Sequence, residues 1–186
     1  MALDPNKNQR PREPRPGSRV AIVVSRFHED LTGAMLASAA KELSARGVGE
    51  RDILVEWLPG AFELPIAALR FARRGDVDAV ICLGLVLKGE TEHDRWVAEG
   101  TVNGIVRASF ETDVPIHLGV LTCATLEQAR ARALPPELGG RKDGEDKGRQ
   151  VAAAAIDTLL ALDRIAAGGR YAGQGAGFGR SGSRQT

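Results

Sequence analysis

Four short runs of β-branched and aliphatic residues divide the central part of this 186-residue chain. Gly, Pro or charged residues bound each run, and a segment with helical periodicity follows each of the first three. Strands that alternate with helices in this way form a parallel sheet that is covered on both faces, with right-handed crossovers. The predicted strands are 19–25, 53–58, 79–87 and 116–121.

The predicted helices follow from apolar residues that recur every three or four positions, as Met35, Ala39 and Leu43 do. The order of elements predicts an α/β fold, a three-layer α/β/α sandwich with a central four-stranded parallel sheet of the flavodoxin-like type. Ligands bind beyond the carboxyl ends of the strands in such a sheet, so the residues after each strand are the candidates for a site. The predicted helices are 31–46, 62–73, 91–111, 126–133 and 147–166.

The two ends of the chain differ in composition from the middle. Residues 1–17 contain four prolines among Asn, Lys and Arg, and residues 168–186 alternate glycine with Arg, Ser and Gln. Neither segment carries enough apolar side chains to offset the entropy of ordering it. We therefore predict a disordered N-terminal arm over 1–17, one folded domain over 18–167 and a disordered glycine-rich tail over 168–186.

Charge and hydropathy limit the kinds of molecule or membrane that the chain is expected to bind. Lys and Arg number 25 against 24 Asp and Glu, and this net charge of +1 favours neither nucleic acid nor an anionic membrane. The longest apolar run, 79–87, is too short to span a bilayer, and the start of the chain has no apolar signal core, so we expect a cytoplasmic location. Cys82 and Cys123 lie in apolar runs without a CxxC spacing and are predicted to be reduced core residues.

Candidate ligand-binding residues follow the first and second strands. Phe27 is either a lid on the core or a stacking platform for a planar ring. The second strand leads into Pro59-Gly60-Ala61-Phe62-Glu63-Leu64-Pro65, where Gly60 and Ala61 let a ligand approach the backbone closely. Glu63, in a first helical turn, is favourable with the helix dipole, and its carboxylate can equally accept hydrogen bonds from sugar hydroxyls.

The segment Leu85-Val86-Leu87-Lys88-Gly89-Glu90-Thr91-Glu92-His93 follows and overlaps the end of the third strand. Gly89 and Thr91 open a helix, whose free amides, hydroxyl and dipole suit a phosphate. His93 lies beside this turn, where an imidazole can transfer protons, although such a histidine can also be structural or merely exposed. Arg132, farther along the chain, could clamp a phosphate or lie on a solvated helix face.

These motifs occur in one order, and together they resemble the lumazine synthase family from Arg19 to Ile165. The family joins 5-amino-6-(D-ribitylamino)uracil to 3,4-dihydroxy-2-butanone 4-phosphate through an imine, loses phosphate and water, and forms 6,7-dimethyl-8-ribityllumazine in riboflavin biosynthesis. The resemblance implies this activity, with no metal or organic cofactor. The matching stretches are Ser25-Arg26-Phe27, Pro59 to Pro65, Gly89 to His93, Gly119-Val120-Leu121-Thr122, Glu127-Gln128-Ala129 with Arg132, and Lys147-Gly148.

The resemblance also implies a role for individual residues. Phe27 would stack on the pyrimidine, and Ala61 and Glu63 would bind the ribityl chain. The turn from Gly89 to Thr91 would hold the phosphate together with Arg132. His93 would be the catalytic, proton-transferring residue, and the implied substrate-binding residues are Phe27, Gly60, Ala61, Phe62, Glu63, Val86, Leu87, Lys88, Gly89, Glu90, Thr91, Leu118, Arg132 and Lys147.

The chain departs from the family pattern at three positions. Asp94 and Arg95 follow His93 where the family usually has an aromatic residue and then an aspartate, which bears on the orientation of the imidazole. Leu118 stands where the family tends to have a phenylalanine that contributes to a neighbouring subunit's site. The implied partner is therefore another copy of the chain, with the active site at a subunit interface. Because loop 134–146 is longer than in hollow-shell members, we expect a pentamer or decamer rather than a shell of sixty subunits.

Three other functions fit part of the sequence. The archaeal-type riboflavin synthase shares fold ancestry and dismutates the lumazine product. A catalytically silent relative could bind flavin or serve as a scaffold. A generic flavodoxin-like phosphate binder accounts for Gly89 and Thr91 but leaves the segment 60–65 and Arg132 unexplained.

Overall fold

The computed structural model describes residues 14–141 and 145–169. Each of the nine predicted elements forms, and every end lies within two residues of its predicted position. Short 3-10 turns occur at Glu50–Asp52, Ala61–Glu63 and Pro136–Leu138. The strands are β1 Val20–Ser25, β2 Ile53–Leu58, β3 Ala79–Leu87 and β4 Ile116–Cys123, and the helices are α1 Glu29–Ala45, α2 Leu64–Ala72, α3 His93–Thr112, α4 Leu126–Ala133 and α5 Lys147–Ala166.

The four strands form a parallel sheet in the order β2-β1-β3-β4. The chain moves from β1 to β2 in one direction and then returns past β1 to β3. Crossovers of one hand that run in opposite directions must pass over opposite faces of the sheet, so α1 lies on one face and α2 on the other. This is the flavodoxin-like order, and the reversal between β1 and β3 is where such sheets bind ligands.

Apolar side chains fill both spaces between the sheet and the helices. On one face α1, α4 and α5 cover the sheet, and Met35, Ala39 and Leu43 of α1 are fully buried there as their spacing predicts. On the other face Leu64 of α2 and Ile105 of α3 cover it. Strand β1 is buried along its whole length, and only the last residue of β3 is partly exposed, which explains their continuous apolar sequences. The predicted three-layer sandwich is therefore confirmed.

The start of α5 packs directly on α1. A side chain at Gly148 would collide with the backbone carbonyl of Met35, so glycine is required for this approach. The Asp146 side chain accepts a hydrogen bond from the backbone N–H of Arg149 and caps the helix. These contacts fix the position of Lys147, the first residue of α5.

The two predicted flexible ends fall largely outside the described residues, namely 1–13 and 170–186. Disorder there stays a prediction. Arg15, near the end of the predicted arm, forms ion pairs with Asp78 at 3.3 Å and Asp163 at 3.1 Å. Cys82 and Cys123 are buried and unpaired by disulfide, as predicted. Within the described ranges, none of the helices has the length and apolar character needed to cross a membrane.

Candidate active site

A cavity of about 690 Å³ opens at the carboxyl ends of β1, β2 and β3, beside the point where the strand order reverses. This volume lies within the usual range for small-molecule sites. Ten of the fifteen predicted site residues line the cavity, so the turns after three strands converge. The lining residues are Phe27, Pro59, Gly60, Ala61, Phe62, Glu63, Leu85, Val86, Leu87, Gly89, Thr91, His93, Asp94, Trp96 and Val97.

Three large aromatic side chains line the cavity and remain accessible. Phe27 is 51% exposed, Phe62 59% and Trp96 61%. The Phe62 ring lies against Gly100 of α3, where an added Cβ would come within 2.7 Å of the ring. Such rings offer both apolar area and stacking geometry to a planar heterocycle. The cavity therefore suits a flat, partly polar ligand.

The turn that carries Phe27 is held by local hydrogen bonds. The Phe27 N–H donates to the Ser25 hydroxyl at 3.2 Å, and the Thr32 hydroxyl donates to the Ser25 carbonyl at 2.7 Å. His28 adopts a left-handed conformation with φ of 55°, which is uncommon for a residue other than glycine. Its ring meets the Phe27 ring edge to face, with centroids 4.5 Å apart. The aromatic platform is thus positioned before any ligand arrives.

A buried hydroxyl connects the loop after β2 to α3. Thr101 Oγ1 lies 3.1 Å from the Ala61 carbonyl oxygen and 2.7 Å from that of Val97, and it can donate to either. The Glu63 carboxylate folds back towards Gly60, where an added Cβ would lie 3.0 Å from Glu63 Oε2. Glycine at position 60 therefore leaves room for this carboxylate at the cavity, where it can accept hydrogen bonds from hydroxyl groups.

The turn between β3 and α3 has the features of an anion site. The Lys88 N–H donates to the Cys123 carbonyl at 2.9 Å and ties the turn to the end of β4. His93 is the first residue of α3, and its N–H lies 3.4 Å from the Thr91 hydroxyl. The Gly89 N–H donates to Asp94 Oδ1 at 3.3 Å. Amides at a helix start, with the helix dipole behind them, favour a bound phosphate.

Five predicted residues do not line this cavity in the described chain. Lys88 and Glu90 belong to the turn itself and lie next to cavity residues in sequence. Leu118 is 40% exposed on the edge strand β4. Arg132 lies on α4, and Lys147 begins α5. The last three thus belong to β4 and the elements that follow it, whereas the cavity is formed around β1, β2 and β3.

Arg132 is held by groups of its own chain. Its guanidinium donates to the Gln128 carbonyl at 3.1 Å and lies 3.8 Å from the Glu145 carboxylate. The side chain is 36% exposed. The Thr125 side chain caps α4 by accepting from the Gln128 N–H at 3.3 Å, which fixes the first turn of this helix. The guanidinium is therefore positioned but still accessible from outside the chain.

Five cavity residues were absent from the predicted site. They are Pro59, Leu85, Asp94, Trp96 and Val97. Helical periodicity could have predicted two of them, Trp96 and Val97, because positions 96 and 97 share a helix face with position 93. Among the described residues, no group of three His, Cys, Asp or Glu side chains is arranged to hold a metal ion.

One histidine outside the cavity is half-buried, with its Nε2 atom shielded from solvent. His117 precedes Leu118 on β4 and pairs in register with Ile81 of β3. Its Nε2 atom has no hydrogen-bond partner, and burial lowers the pKa of the imidazole from 6.5 to about 4. The ring is therefore neutral in the folded protein at ordinary pH.

The fold and the cavity define a class: a flavodoxin-like α/β protein with an aromatic-lined site, a carboxylate and a phosphate-type turn next to a histidine. The sequence matches the family described as 6,7-dimethyl-8-ribityllumazine synthase over residues 17–163. A protein of that name from Salinibacter ruber is 42% identical over 149 residues, which is 80% of this chain and 91% of that protein. Proteins of that name from two Thermus thermophilus strains are 42% identical over 149 residues, 80% of this chain and 90% of theirs.

The chain therefore belongs to the 6,7-dimethyl-8-ribityllumazine synthase family. The family predicted from the sequence motifs is confirmed. The match does not favour the riboflavin synthase, the silent scaffold or the generic phosphate binder.

Proposed function

We propose that this chain catalyses the condensation of 5-amino-6-(D-ribitylamino)uracil with 3,4-dihydroxy-2-butanone 4-phosphate to 6,7-dimethyl-8-ribityllumazine, with loss of phosphate and water. The observation that carries the proposal is the convergence of three strand-end turns on one cavity that contains aromatic rings, Glu63, Thr91 and His93. Membership of the family supports the same reaction. Because the substrate amine is itself the nucleophile, the reaction needs no cofactor to generate one.

Most of the proposed catalysis comes from positioning. Phe27 offers a ring on which the pyrimidine stacks, and Glu63 accepts hydrogen bonds from the ribityl hydroxyls. The turn at Gly89 and Thr91 holds the phosphate of the second substrate, which brings its carbonyl carbon to the amine. Such alignment of two reactants contributes roughly 7 to 11 kcal/mol to lowering a barrier.

Proton transfer is the second contribution. The amine attacks the ketone carbonyl, and loss of water gives an imine. Removal of a proton from the hydroxyl-bearing carbon beside the imine then drives out phosphate from the next carbon. The enol that remains converts to a second carbonyl, and attack of the ribityl-bearing nitrogen on this carbonyl closes the ring with loss of another water. His93 is the cavity residue suited to accept and return these protons, because it lies beside the phosphate turn.

The phosphate turn of one chain is itself acidic. Residues 88–95 carry two cations and three carboxylates, a formal net charge of −1 with His93 neutral. A phosphate ester bound there calls for a cation from elsewhere. We infer that Arg132 and Lys147, with Leu118, serve the cavity of a neighbouring subunit, in a pentamer or decamer. Exposed apolar side chains on α3, among them Phe110 at 86% and Val106 at 49%, favour such an assembly.

Incubation of the protein with both substrates tests the reaction. We expect the lumazine chromophore to appear together with one phosphate per turnover, faster than in a mixture without protein. Phosphate release without the chromophore would contradict the proposal. Conversion of added lumazine into riboflavin would instead identify a riboflavin synthase.

Subunit mixing tests the shared site. The variants His93→Ala and Arg132→Ala are assayed separately and after they have been refolded together. If the two residues come from different subunits, about a quarter of the sites in an equal mixture contain both wild-type groups, and activity exceeds the mean of the two variants. If both residues come from one subunit, mixing restores nothing. Sedimentation of the wild-type protein distinguishes a pentamer from a decamer.

A further inference from the structure

Asp94 contacts the backbone of the phosphate turn. Its Oδ1 atom lies 3.3 Å from the Gly89 nitrogen and accepts a hydrogen bond from that N–H. The same oxygen lies 3.9 Å from the position that a Gly89 Cβ would occupy, so the carboxylate reaches back over the turn rather than away from it. Both residues line the cavity. The Asp94 carboxylate therefore occupies the position that the oxygens of a phosphate bound to the turn would take.

Two effects of this carboxylate oppose the binding of a phosphate to the turn. A single N–H makes one strong, linear hydrogen bond, so an oxygen of Asp94 and an oxygen of the phosphate compete for the Gly89 amide. Both groups are also anionic, and at a separation of about 5 Å they repel each other even in a solvent-exposed site. The neighbouring cation, Arg95, is directed to Glu92 at 3.5 Å and to the Trp96 ring at 5.7 Å.

We propose that Asp94 competes with the substrate phosphate for the Gly89 amide and so limits the affinity of this site for phosphate. The inference rests on the proposed function, because it takes the turn at Gly89 and Thr91 as the phosphate site. The carboxylate swings aside when the phosphate ester binds, and its return assists the departure of inorganic phosphate. In the first turn of α3 it also stabilises the helix through the dipole.

Two substitutions at position 94 separate competition from a structural role. In Asp94→Asn the side chain can still accept from the Gly89 N–H but carries no charge, and Asp94→Ala removes the competing acceptor as well. The matched control is Glu92→Gln, which removes a carboxylate from the same segment where it pairs with Arg95. A structural role predicts weaker phosphate binding in both Asp94 variants, whereas competition predicts tighter binding.

Binding of inorganic phosphate to the full-length assembled protein is measured by isothermal titration calorimetry at fixed ionic strength. We expect Asp94→Asn to bind roughly fivefold to tenfold more tightly than wild type, which corresponds to one unit-charge repulsion at about 5 Å in a solvent-exposed site. Asp94→Ala should bind at least as tightly as Asp94→Asn. Glu92→Gln should change the affinity by less than about twofold, because its carboxylate is neutralised by an exposed ion pair. The KM for the phosphate substrate should fall with the Kd in both Asp94 variants.

The outcomes separate the inference from the proposed function. If wild type forms the lumazine but both Asp94 variants bind phosphate equally or more weakly, competition at Gly89 is refuted and the proposed function stands. If wild type neither forms the lumazine nor binds phosphate, the proposed function fails and the inference fails with it. Circular dichroism of the variants confirms that α3 is retained.

Discussion

Substitution of His117 by isoleucine should change how stability depends on pH. Residues 117, 119 and 121 share one side of β4, and this side faces α5, because a Cβ on Gly119 would lie 3.3 Å from Val151. Leu121 belongs to the same buried layer. His117 thus holds a neutral imidazole with an unpartnered Nε2 against an apolar helix face.

The magnitude follows from the two pKa values. Burial lowers the pKa of folded His117 from 6.5 to about 4, so between these values the unfolded chain binds a proton that the folded chain does not. The free energy of unfolding therefore has its full value above pH 6.5 and decreases as the pH falls towards 4. At pH 5 the free energy of unfolding is lower by about 2 kcal/mol. The full difference between the two pKa values corresponds to about 3 kcal/mol at lower pH, and solvent screening of the partly exposed ring reduces this limit.

Urea unfolding at pH 8 and pH 5, followed by fluorescence of Trp57 and Trp96 at one protein concentration, measures this difference. Wild type should lose about 2 kcal/mol more than His117→Ile between the two pH values. The variant should also be at least as stable at pH 8, because it removes an unsatisfied buried nitrogen. Ile116→Val is the control: it loosens packing on the same strand without a titratable group, so it shifts stability equally at both pH values. Parallel losses in wild type and His117→Ile would refute the reasoning.

Three further substitutions test the site by steady-state kinetics. His93→Ala should lower kcat by about a hundredfold to ten-thousandfold without abolishing turnover, and complete loss with intact substrate binding would contradict the weight given to positioning. Arg132→Ala should raise the KM for the phosphate substrate by about tenfold, because one charged hydrogen bond is lost. An unchanged KM would show that Arg132 does not belong to the site. Thr101→Val should raise the KM for the pyrimidine and lower the urea-measured free energy of unfolding by about 1 kcal/mol. If neither quantity changes, the Ala61 carbonyl does not depend on this hydroxyl.

The elements were predictable because each depends on a local pattern. The β-branched run over residues 79–87 could be buried on both sides only as a central strand, and β3 is one. The spacing of Met35, Ala39 and Leu43 sets the buried face of α1 wherever the helix packs. Thr125 and Asp146, which cap α4 and α5, precede helices whose predicted and observed ends coincide.

The convergence of the first three turns was also predictable, because the carboxyl ends of parallel strands lie at one end of the sheet. The position of Arg132 was not. It follows β4, as the other candidates follow their strands, but β4 lies at the sheet edge and pairs only with β3. Sequence order does not state which strand occupies an edge. Only the fold therefore shows that Arg132 and Lys147 lie apart from the cavity of their own chain.

By itself, the sequence determined the alternation of strands and helices, the family, and which turns meet beyond the sheet. These depend on periodicity and on strand direction, which neighbouring residues specify. The tertiary structure alone decided which groups touch: the Asp94 carboxylate on the Gly89 amide, the Thr101 hydroxyl on the Ala61 carbonyl, and the unpartnered nitrogen of His117. Such contacts depend on rotamers and on the approach of elements distant along the chain, and these are fixed only when the layers pack together.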